Sequence, residues 1–420
     1  MNAPTEDFIL NAAQRAEVIA GLNQILPAHA VLHEVEDTKP YECDGLSLFR
    51  QLPMVVALPE TEDQVIQILK LANRLNVPVV ARGAGTGLSG GAQPHKHGIL
   101  LGMAKFNKIL KVDVQSRSAV VQPGVRNLAI SEAVAQHQLY YAPDPSSQIA
   151  CTIGGNVAEN SGGVHCLKYG LTVHNVLKVR AITIEGEIVE FGSEAPDAPG
   201  LELMNLVIGS EGMLAVVTEV TVKLVPKPAL AQVIMASFDD VANAGNAVAA
   251  VIAAGIIPAG LEMMDKRASQ MVEPFVKAGY DTEAEAILLL ESDGTPEEVA
   301  EEIAEMTRVL NGCGATAIKV SQSEAERLKF WAGRKNAFPA AGRVSPDYYC
   351  MDGTIPRRRL ADVLNAITEM EKKYDMRCAN VFHAGDGNLH PLILFDANKP
   401  EEIKRAEDFG AEILELCVEV

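Results

Sequence analysis

The chain has 420 residues, of which 48% are hydrophobic and 22% charged, and its formal net charge at pH 7 is −19. This length and composition indicate a globular protein of two or three domains. The acidic excess disfavours binding to nucleic acid or to anionic lipid surfaces, because phosphate groups carry the same sign of charge. The longest basic run, Arg357–Arg359, is too short to reverse that balance.

The first ten residues lack the basic and apolar regions of a secretory signal. The longest apolar stretch, 241–257, is shorter than the about 20 residues of a transmembrane helix and predicts a buried helix. Seven scattered cysteines without a CxxC pair favour reduced thiols and argue against an iron–sulfur cluster in this chain. We therefore predict a cytoplasmic protein that is peripheral at the inner membrane, if it attaches there at all, through partner subunits.

The first half of the chain alternates short strands with helices. Residues 1–50 begin with a helical pattern, and 54–58 predict a strand. Thr61 and Gln64 have the spacing of a capping box that opens the next helix. The remaining predicted elements are strands at 77–81, 98–103, 109–114, 119–121, 176–184, 187–191 and 213–224, a helix at 127–138 and a loop at 142–163.

Pro226 and Pro228 mark a boundary, after which the pattern becomes that of an α+β domain. Two β-α-β units, at 232–264 and 286–320, predict a sheet covered by helices, and we expect this sheet to be antiparallel. Further helices are predicted at 324–335, 359–374 and 400–420, and strands at 348–351, 380–383 and 390–395. The last helical pattern runs to the final residue without a cap, so we expect the domain to continue further. The predicted divisions are 1–50, 51–227 and 228–420.

A glycine-rich loop lies between Arg82 and Ala92, directly after a strand of the buried type. Glycine permits positive φ angles, and successive backbone N–H groups can then form an anion nest suited to a pyrophosphate. The stretch 85–90 matches GxGxxG, but a strand follows where a Rossmann motif needs a helix. The alternative is a glycine-rich surface turn.

A second segment, residues 143–163, is rich in small residues and amides. Such residues allow a flat ring to approach the backbone closely, which supports a bound dinucleotide. The alternative, a long loop without a function, is uncommon at this length.

The most informative pattern of the second half is His383-Ala384-Gly385-Asp386-Gly387-Asn388-Leu389-His390. Asp386-Gly387 is a preferred pair for a type I′ turn, and this turn places His383 directly opposite His390. Two imidazoles would then converge as metal ligands do. Two histidines flanking an ordinary hairpin are the alternative, because a zinc site wants a third protein ligand.

Arg334, Lys335 and Arg343 lie close together around Trp331 and Phe338 in the sequence. An arginine can hold a carboxylate through two hydrogen bonds and so orient a substrate. Solvated charges at a helix end are the alternative for each of them.

Three motifs, Arg82-Gly83-Ala84-Gly85-Thr86-Gly87, Gly154-Gly155-Asn156 and Gly209-Ser210-Glu211-Gly212-Met213-Leu214, resemble the vanillyl-alcohol-oxidase/PCMH flavoprotein fold. The resemblance covers roughly residues 50–225. The remainder is similar to the C-terminal domain of FAD-linked D-2-hydroxyacid dehydrogenases, most of all to the glycolate-oxidising members. It implies a PCMH-type FAD-binding domain of two subdomains at 51–227 and a substrate or cap domain at 228–420.

The resemblance also implies which residues contact FAD, with the pyrophosphate on the glycine loop. The predicted set is Arg82, Gly83, Ala84, Gly85, Thr86, Gly87, Gly90, Pro143, Asp144, Thr152, Gly154, Gly155, Asn156, Asn160, Gly162, Gly163 and Glu211. Several relatives carry a histidine after the glycine turn that bonds covalently to the flavin. Thr86 stands there in this chain, so we predict noncovalent FAD.

Relatives place the HxGDGNxH motif beside the flavin, where the resemblance implies a divalent metal such as zinc on His383 and His390. A Glu-His pair in a later motif supplies a third ligand there, and the present sequence ends before it; a chain complete at Val420 would therefore bind metal poorly. The resemblance favours Arg334 for the substrate carboxylate and places Asp352 near the site. We assign catalytic roles to Arg334, His390 and Asn388.

These inferences together predict FAD-dependent oxidation of a small D-2-hydroxy acid, glycolate or D-lactate, to the 2-oxo acid. Some diacid-oxidising relatives have a lysine where Cys350 stands, which favours a monoacid. We predict that electrons pass to a partner subunit or a quinone chain; the resemblance implies an iron–sulfur subunit, with a second flavin-type subunit as a further partner. The alternatives are a D-2-hydroxyglutarate or D-lactate dehydrogenase of the same fold, and a noncatalytic scaffold subunit that retains flavin.

Overall fold

The computed structural model describes residues 9–195 and 200–420. The chain divides into two compact units, the first formed by 1–162 and 170–227 and the second by 163–169 and 228–420. The first eight residues of the predicted 1–50 segment lie outside the described residues, and the division into 1–50, 51–227 and 228–420 stays a prediction.

The first unit contains eleven strands within the described residues. They are β1 (Val31–Leu32), β2 (Val55–Ala57), β3 (Val79–Arg82), β4 (Ile99–Gly102), β5 (Ile109–Asp113), β6 (Ser118–Val121), β7 (Leu139–Tyr140), β8 (Val176–Ile182), β9 (Ile188–Gly192), β10 (Val216–Lys223) and β11 (Val225–Pro226). They form a four-stranded sheet in the order β1-β2-β4-β3, a five-stranded sheet in the order β5-β6-β10-β8-β9 and the pair β11-β7.

The helices up to residue 227 are α1 (Ala12–Ile25), α2 (Val35–Thr38), α3 (Glu62–Leu75), α4 (Asn127–Val134), α5 (Ile153–Glu159), α6 (Cys166–Tyr169), α7 (Thr172–Asn175) and α8 (Met204–Val207), of which α6 counts with the second unit. Helix α3 begins as its sequence predicts, with Thr61 as N-cap in a capping box with Gln64. It then buries Val65, Ile68 and Leu69 in the core of the first sheet. This packing fixes β3, whose end leads into the glycine loop.

The second unit is built on one eight-stranded sheet. Its strands are β12 (Leu230–Phe238), β13 (Gly260–Asp265), β14 (Ala286–Gly294), β15 (Ala317–Val320), β16 (Asp347–Cys350), β17 (Gly353–Thr354), β18 (Arg377–His383) and β19 (Asn388–Phe395). The order is β15-β12-β14-β13-β18-β19-β16, with β17 also on β19, and neighbours run antiparallel as the sequence predicts.

Helices cover this sheet. They are α9 (Val241–Ala253), α10 (Lys266–Val276), α11 (Pro296–Gly312), α12 (Glu324–Lys335), α13 (Ala337–Val344), α14 (Leu360–Tyr374) and α15 (Pro400–Glu419). Every residue of β14 from Ala286 to Asp293 is buried. Because side chains of a strand alternate between faces, both faces of the sheet are covered at its centre. The predicted α+β architecture is therefore present.

The segment 163–169, which we call the strap, belongs to the second unit although it lies within the first half of the sequence. Lys168 Nζ and the Tyr169 hydroxyl bind the carboxylate of Asp293 at 2.5 and 2.6 Å. His165 Nε2 lies 3.1 Å from a carboxylate oxygen of Glu291. The strap is thus fastened to β14 by two buried acids, which the sequence pattern did not predict.

The structure differs from the predicted elements in a loop, in two additional helices and at one strand boundary. The predicted loop at 142–163 contains helix α5, which starts after Thr152 and carries Gly154 and Gly155 in its first turn. Helices α10 and α13 were not predicted, because Pro274 and Pro339 interrupt their patterns. Residues 213–215 lie outside β10. No described helix combines the length and apolar composition that crossing a bilayer requires.

Candidate active site

The glycine loop forms one wall of a cavity in the first unit. Gly85 has φ +67°, and a Cβ built there would lie 2.6 Å from Cζ of Arg82, whose buried guanidinium packs beneath the turn. Arg82 Nη1 donates to the carbonyl of Tyr41 at 3.4 Å. Glycine is therefore required at position 85 both for the backbone angle and for the space that Arg82 occupies.

The cavity offers polar groups that have no protein partner. Among the described residues, no backbone N–H from Ala84 to Gly91 donates to a protein acceptor. The hydroxyl of Thr152 is buried beside the loop and likewise lacks a partner. Buried polar groups are normally satisfied, so this wall fits a polar ligand with several acceptor oxygens, as a dinucleotide has.

The cavity brings together many of the residues predicted to contact FAD. Those that line it are Arg82, Gly83, Ala84, Gly85, Thr86, Gly87, Thr152, Gly154, Gly155, Asn156 and Glu211. Those that do not are Gly90, Pro143, Asp144, Asn160, Gly162 and Gly163. The amide of Asn156 is engaged inside the protein, since its Oδ1 accepts from Asn127 Nδ2 at 3.1 Å.

Two carboxylates also line the cavity, and sequence analysis missed one of them, Glu159. A Cβ built on Gly91 would lie 3.0 Å from Glu159 Oε1 and 3.1 Å from Glu211 Oε2. Because like charges repel, a phosphate fits the part of the loop near Gly83 better than the part near Gly91. The end of α5 that carries Glu159 gave no sequence signal beyond its charge.

The predicted hairpin forms, but its register was wrong. His383 pairs with Asn388 and Val381 with His390, so four residues, 384–387, connect the strands. Gly387 has φ +80° and Asp386 is not among the residues with positive φ, which excludes the predicted type I′ turn. His383 and His390 are diagonal neighbours on one face of the sheet, and their ring centroids still lie 4.9 Å apart.

A buried glutamate that sequence analysis missed connects the two strongest predicted residues. Glu262, on β13, accepts from Arg334 Nε through Oε2 at 2.6 Å. Its Oε1 lies 2.6 Å from His383 Nδ1, and since a carboxylate only accepts, Nδ1 carries the proton. The side chains of Glu262 and Arg334 are each 1% exposed. We call these three residues the Glu262 cluster.

The contacts within the cluster shift the pKa values of Glu262 and His383. Burial by itself raises the pKa of Glu262, but the charges of His383 and Arg334 outweigh burial and hold the pKa below its usual range. Burial lowers the pKa of His383, and the charge of Glu262 more than reverses this, so the pKa lies above that of a free histidine. Glu262 is therefore an ionised partner for both neighbours.

His390 has a carboxylate partner of its own. Its Nδ1 lies 2.7 Å from Asp352 Oδ1. Burial lowers the pKa of His390, and Asp352 offsets this only in part. The pKa values of the two histidines are thus displaced in opposite directions, and His390 is the one that is neutral and basic at its free Nε2 near pH 7.

Two buried polar atoms of the predicted catalytic residues lack a protein partner among the described residues. They are Nη1 of Arg334 and Oδ1 of Asn388. An unpaired buried group costs about 1–3 kcal/mol, so such atoms are expected where a ligand binds. Of the other predicted cations, Arg343 instead lies over the ring of Phe275, 4.4 Å from its centroid, and Lys335 ends the same helix as Arg334.

His383 and His390 are also candidate metal ligands. The fit of His383 and His390 is good in one respect, since each Nδ1 is bound to a carboxylate and each Nε2 is left to coordinate, as in carboxylate–histidine–metal sites. Cys350, Asp352 and His390 also place one ligand atom each within 4.8 Å of one another. Burial raises the pKa of Cys350 far above its usual value, which disfavours the thiolate that a metal needs.

Family models match most of the chain. Residues 53–192 match the FAD binding domain, and residues 227–420 match the C-terminal domain of FAD linked oxidases. The chain belongs to the FAD-linked oxidase family. It is therefore an FAD-linked oxidoreductase.

Curated relatives agree with this family. The chain is 60% identical over 414 residues to the glycolate oxidase subunit GlcD of Escherichia coli (strain K12), covering 99% of this chain and 83% of that protein. It is 38% identical to GlcD of Bacillus subtilis (strain 168), covering 90% and 81%. It is 31% identical to the D-lactate dehydrogenase of Anaerostipes hadrus, covering 93% and 83%.

Solved structures confirm the predicted PCMH-type fold. The chain superposes on p-cresol methylhydroxylase with a TM-score of 0.81 at 16% identity, covering 97% of this chain and 88% of that one. An alkyldihydroxyacetonephosphate synthase gives a TM-score of 0.79 at 18% identity, covering 98% and 82%. At these identities the likeness concerns the fold alone.

Proposed function

We propose that this protein oxidises a small D-2-hydroxy acid, glycolate in the first place, to the 2-oxo acid with noncovalently bound FAD. The observation that carries the proposal is the Glu262 cluster, which holds a fully buried arginine with an unpartnered Nη1 beside two histidines. The names of the relatives, glycolate oxidase subunit and D-lactate dehydrogenase, support the same substrate class.

Arg334 binds the substrate carboxylate in this proposal. Its Nε is already engaged by Glu262, so the Nη atoms are the donors that remain. A buried guanidinium forms strong, directional hydrogen bonds to a carboxylate, and these orient the substrate carbon that is to be oxidised. FAD, when bound, supplies the acceptor for the hydride.

His390 receives the hydroxyl proton. Asp352 accepts from its Nδ1–H at 2.7 Å, which leaves the Nε2 lone pair free to accept a proton. The unpartnered Oδ1 of Asn388 adds an acceptor for a ligand donor other than the hydroxyl that His390 deprotonates. Both residues lie on β19, so their relative positions are fixed by one strand.

A divalent metal such as zinc, when bound by Nε2 of His383 and His390, would polarise the substrate hydroxyl. One lone pair cannot bind a metal and accept a proton at once, so metal binding at His390 requires a different base. Dialysis against EDTA followed by addition of ZnCl2 separates the two: activity that persists in EDTA supports His390 as the base, and activity that is lost in EDTA and restored by ZnCl2 supports the metal.

Noncovalent binding of FAD follows from Thr86, which lines the cavity where some relatives carry a flavin-linked histidine. We expect acid precipitation to release the yellow flavin into the supernatant. Flavin that stays with the pellet would contradict this prediction.

The proposed electron acceptor is a partner subunit that carries an iron–sulfur cluster, with a second flavin-type subunit in the same complex. Among the described residues no cysteine forms a disulfide, and none is close enough in sequence to another to form a CxxC pair. We place the complex in the cytoplasm, with any attachment to the inner membrane made by the partners. Copurification with a tagged chain tests this part of the proposal.

The deciding experiment is the visible spectrum of the purified holoprotein, recorded without oxygen, before and after addition of glycolate. We expect the flavin bands to bleach, and glyoxylate to appear in the same amount. Bands that bleach only with D-lactate would favour the second candidate, a D-lactate dehydrogenase, which several relatives are. Bands that persist with both acids would contradict the proposed function.

A further inference from the structure

The Glu262 carboxylate is a buried charge on the central part of the sheet, three residues before the end of β13. Its two oxygens are each used once, by Arg334 from α12 and by His383 from β18, both at 2.6 Å. Burying a charge costs several kcal/mol unless hydrogen bonds compensate it, so an apolar residue would serve the core better. The position of the carboxylate therefore calls for a functional explanation.

The two hydrogen bonds decide what the partners present to a ligand. Arg334 donates its Nε–H to Glu262, which fixes the plane of the guanidinium. Nη1 is buried and has no protein partner among the described residues. His383 donates its Nδ1–H, so that the lone pair of the neutral form of the imidazole lies on Nε2. The Glu262 carboxylate thus leaves Arg334 with a donor for the substrate carboxylate and His383 with an acceptor for a proton or a metal.

We infer that Glu262 is a positioning residue, which sets the orientation of Arg334 and the tautomer of His383 together. This inference rests on the proposed function, because it assigns the carboxylate end of the substrate to Arg334 and the hydroxyl end to the histidines. Glu262 itself touches neither the substrate nor the flavin; it acts through the two residues that it holds.

The variant Glu262→Gln tests the inference with little change of shape. Arg334 Nε–H needs an acceptor, so the amide oxygen of Gln must face it. The amide NH2 then faces His383 Nδ1, which has to accept, and the imidazole proton moves to Nε2. We therefore expect the tautomer of His383 to invert. The ¹⁵N spectrum of histidine-labelled holoprotein reports the tautomer, and the signal is assigned as the one that is lost in His383→Asn.

Glu291 offers a matched control. It lies on the adjacent strand β14, opposite Gly260, and its side chain is 3% exposed. It too accepts from an arginine, Arg327, at 2.7 Å, and contacts a histidine, His165, at 3.1 Å. Glu291 also accepts from Trp331 Nε1, so Glu291→Gln removes an equally buried charge with at least as many partners and leaves the residues of the Glu262 cluster unchanged.

Three readouts separate a positioning role from a structural one. In Glu262→Gln we expect the inverted His383 tautomer, a Zn²⁺ affinity about 10- to 100-fold lower by calorimetric titration with ZnCl2, and a raised KM for glycolate. In Glu291→Gln we expect the wild-type tautomer, Zn²⁺ affinity and KM. Wild-type values in Glu262→Gln, or the same losses in both variants, would overturn the inference.

The double variant Glu262→Gln/Arg334→Met sharpens the test. Without the arginine, the amide oxygen is free to accept from His383, so the Nδ1–H tautomer should return. A tautomer that stays inverted would show that Arg334 does not control the amide, against the inference. If Glu262→Gln fails to accumulate, Glu262→Asp is compared with Glu291→Asp: the shorter side chain cannot reach both partners, so loss of Zn²⁺ affinity or of glycolate KM is expected at 262 alone.

The tautomer and the Zn²⁺ titration need no turnover, which separates this inference from the proposed function. Inversion in a holoprotein that glycolate does not reduce would keep the positioning role and reject the substrate. Reduction by glycolate with no difference between Glu262→Gln and Glu291→Gln would keep the substrate and reject the positioning role.

Discussion

The glycine loop of the first unit and the Glu262 cluster of the second are made from different parts of the polypeptide. The loop offers main-chain N–H groups from one continuous stretch, and five of its residues between Arg82 and Ala92 are glycine. The cluster offers side chains from three elements that lie far apart in sequence, held by buried charges. The loop therefore depends on backbone angles and free space, whereas the cluster depends on paired charges.

This difference predicts opposite sensitivities. A substitution that restricts the backbone of the glycine loop should weaken flavin binding and leave substrate recognition unchanged. A substitution that alters the charges of the second unit's site should weaken substrate recognition and leave flavin binding unchanged. Four substitutions test the comparison.

Arg334→Lys should have the largest effect. Lysine keeps the charge but has a single nitrogen, which cannot serve Glu262 and a substrate carboxylate in the same geometry. We expect kcat/KM for glycolate to fall by roughly 100-fold or more, with the flavin content unchanged. Steady-state kinetics together with the ratio of flavin to protein absorbance measure both. A loss of flavin in this variant would contradict the expectation that flavin binding does not depend on the Glu262 cluster.

Gly85→Ala should act on the other region. The positive φ costs an alanine about 1–2 kcal/mol, and its Cβ also collides with Arg82. We expect the Kd for FAD to rise about tenfold or more, measured by fluorescence titration of the apoprotein. Gly200→Ala is the control, because Gly200 also has a positive φ, +89°, but open space around its Cβ position. Gly200 does not line the cavity, so equal losses in both variants would show that the effect is not specific to the glycine loop.

Asp352→Asn should have a moderate effect through His390. Asn still accepts from His390 Nδ1, so the tautomer is kept, but the charge that raises the pKa of His390 is removed. The pKa of His390 then falls further, which makes it a weaker base. We expect flavin reduction by glycolate to slow by about tenfold and the acidic limb of its pH profile to move to lower pH. An unchanged acidic limb of the pH profile would contradict the assignment of His390 as the base.

Asp265→Asn should have the smallest effect. It tests, within the second unit, how a buried carboxylate without a cationic partner contributes to stability. Asp265 lies on the same strand as Glu262, but it accepts from amides of Ala268 and Asn380 in place of cations. Burial raises its pKa from 3.8 to about 6. The resulting stabilisation is complete below pH 3.8 and is lost as the pH rises through about 6, because the folded state then holds a buried charge.

The size of this pH effect is about 1–3 kcal/mol, as the pKa difference implies. Urea unfolding at pH 5 and pH 8 measures it. The free energy of unfolding of the wild type minus that of Asp265→Asn should be larger at pH 5 than at pH 8. An equal difference at the two pH values would show that the Asp265 carboxyl does not titrate in this range.

The sequence by itself determined the features that depend on neighbouring residues. The capping box at Thr61 and Gln64 forms as predicted, because its two hydrogen bonds lie within four residues. The cavity wall at Gly83–Gly87 was predicted because glycine is the residue that a positive φ and a close approach require. The hairpin between His383 and His390 was predicted because Asp386-Gly387 is a preferred pair for a tight turn.

The tertiary structure decided the features that depend on distant residues. The register of the hairpin is set by how β18 and β19 fit their neighbours in the sheet, which moved the pairing partner of His383 from His390 to Asn388. Glu262 gave no signal, because a glutamate within an apolar strand is recognisable only by the partners it meets. Those partners, Arg334 and His383, lie 72 and 121 residues away, and the packing of the sheet and its helices brings the three together.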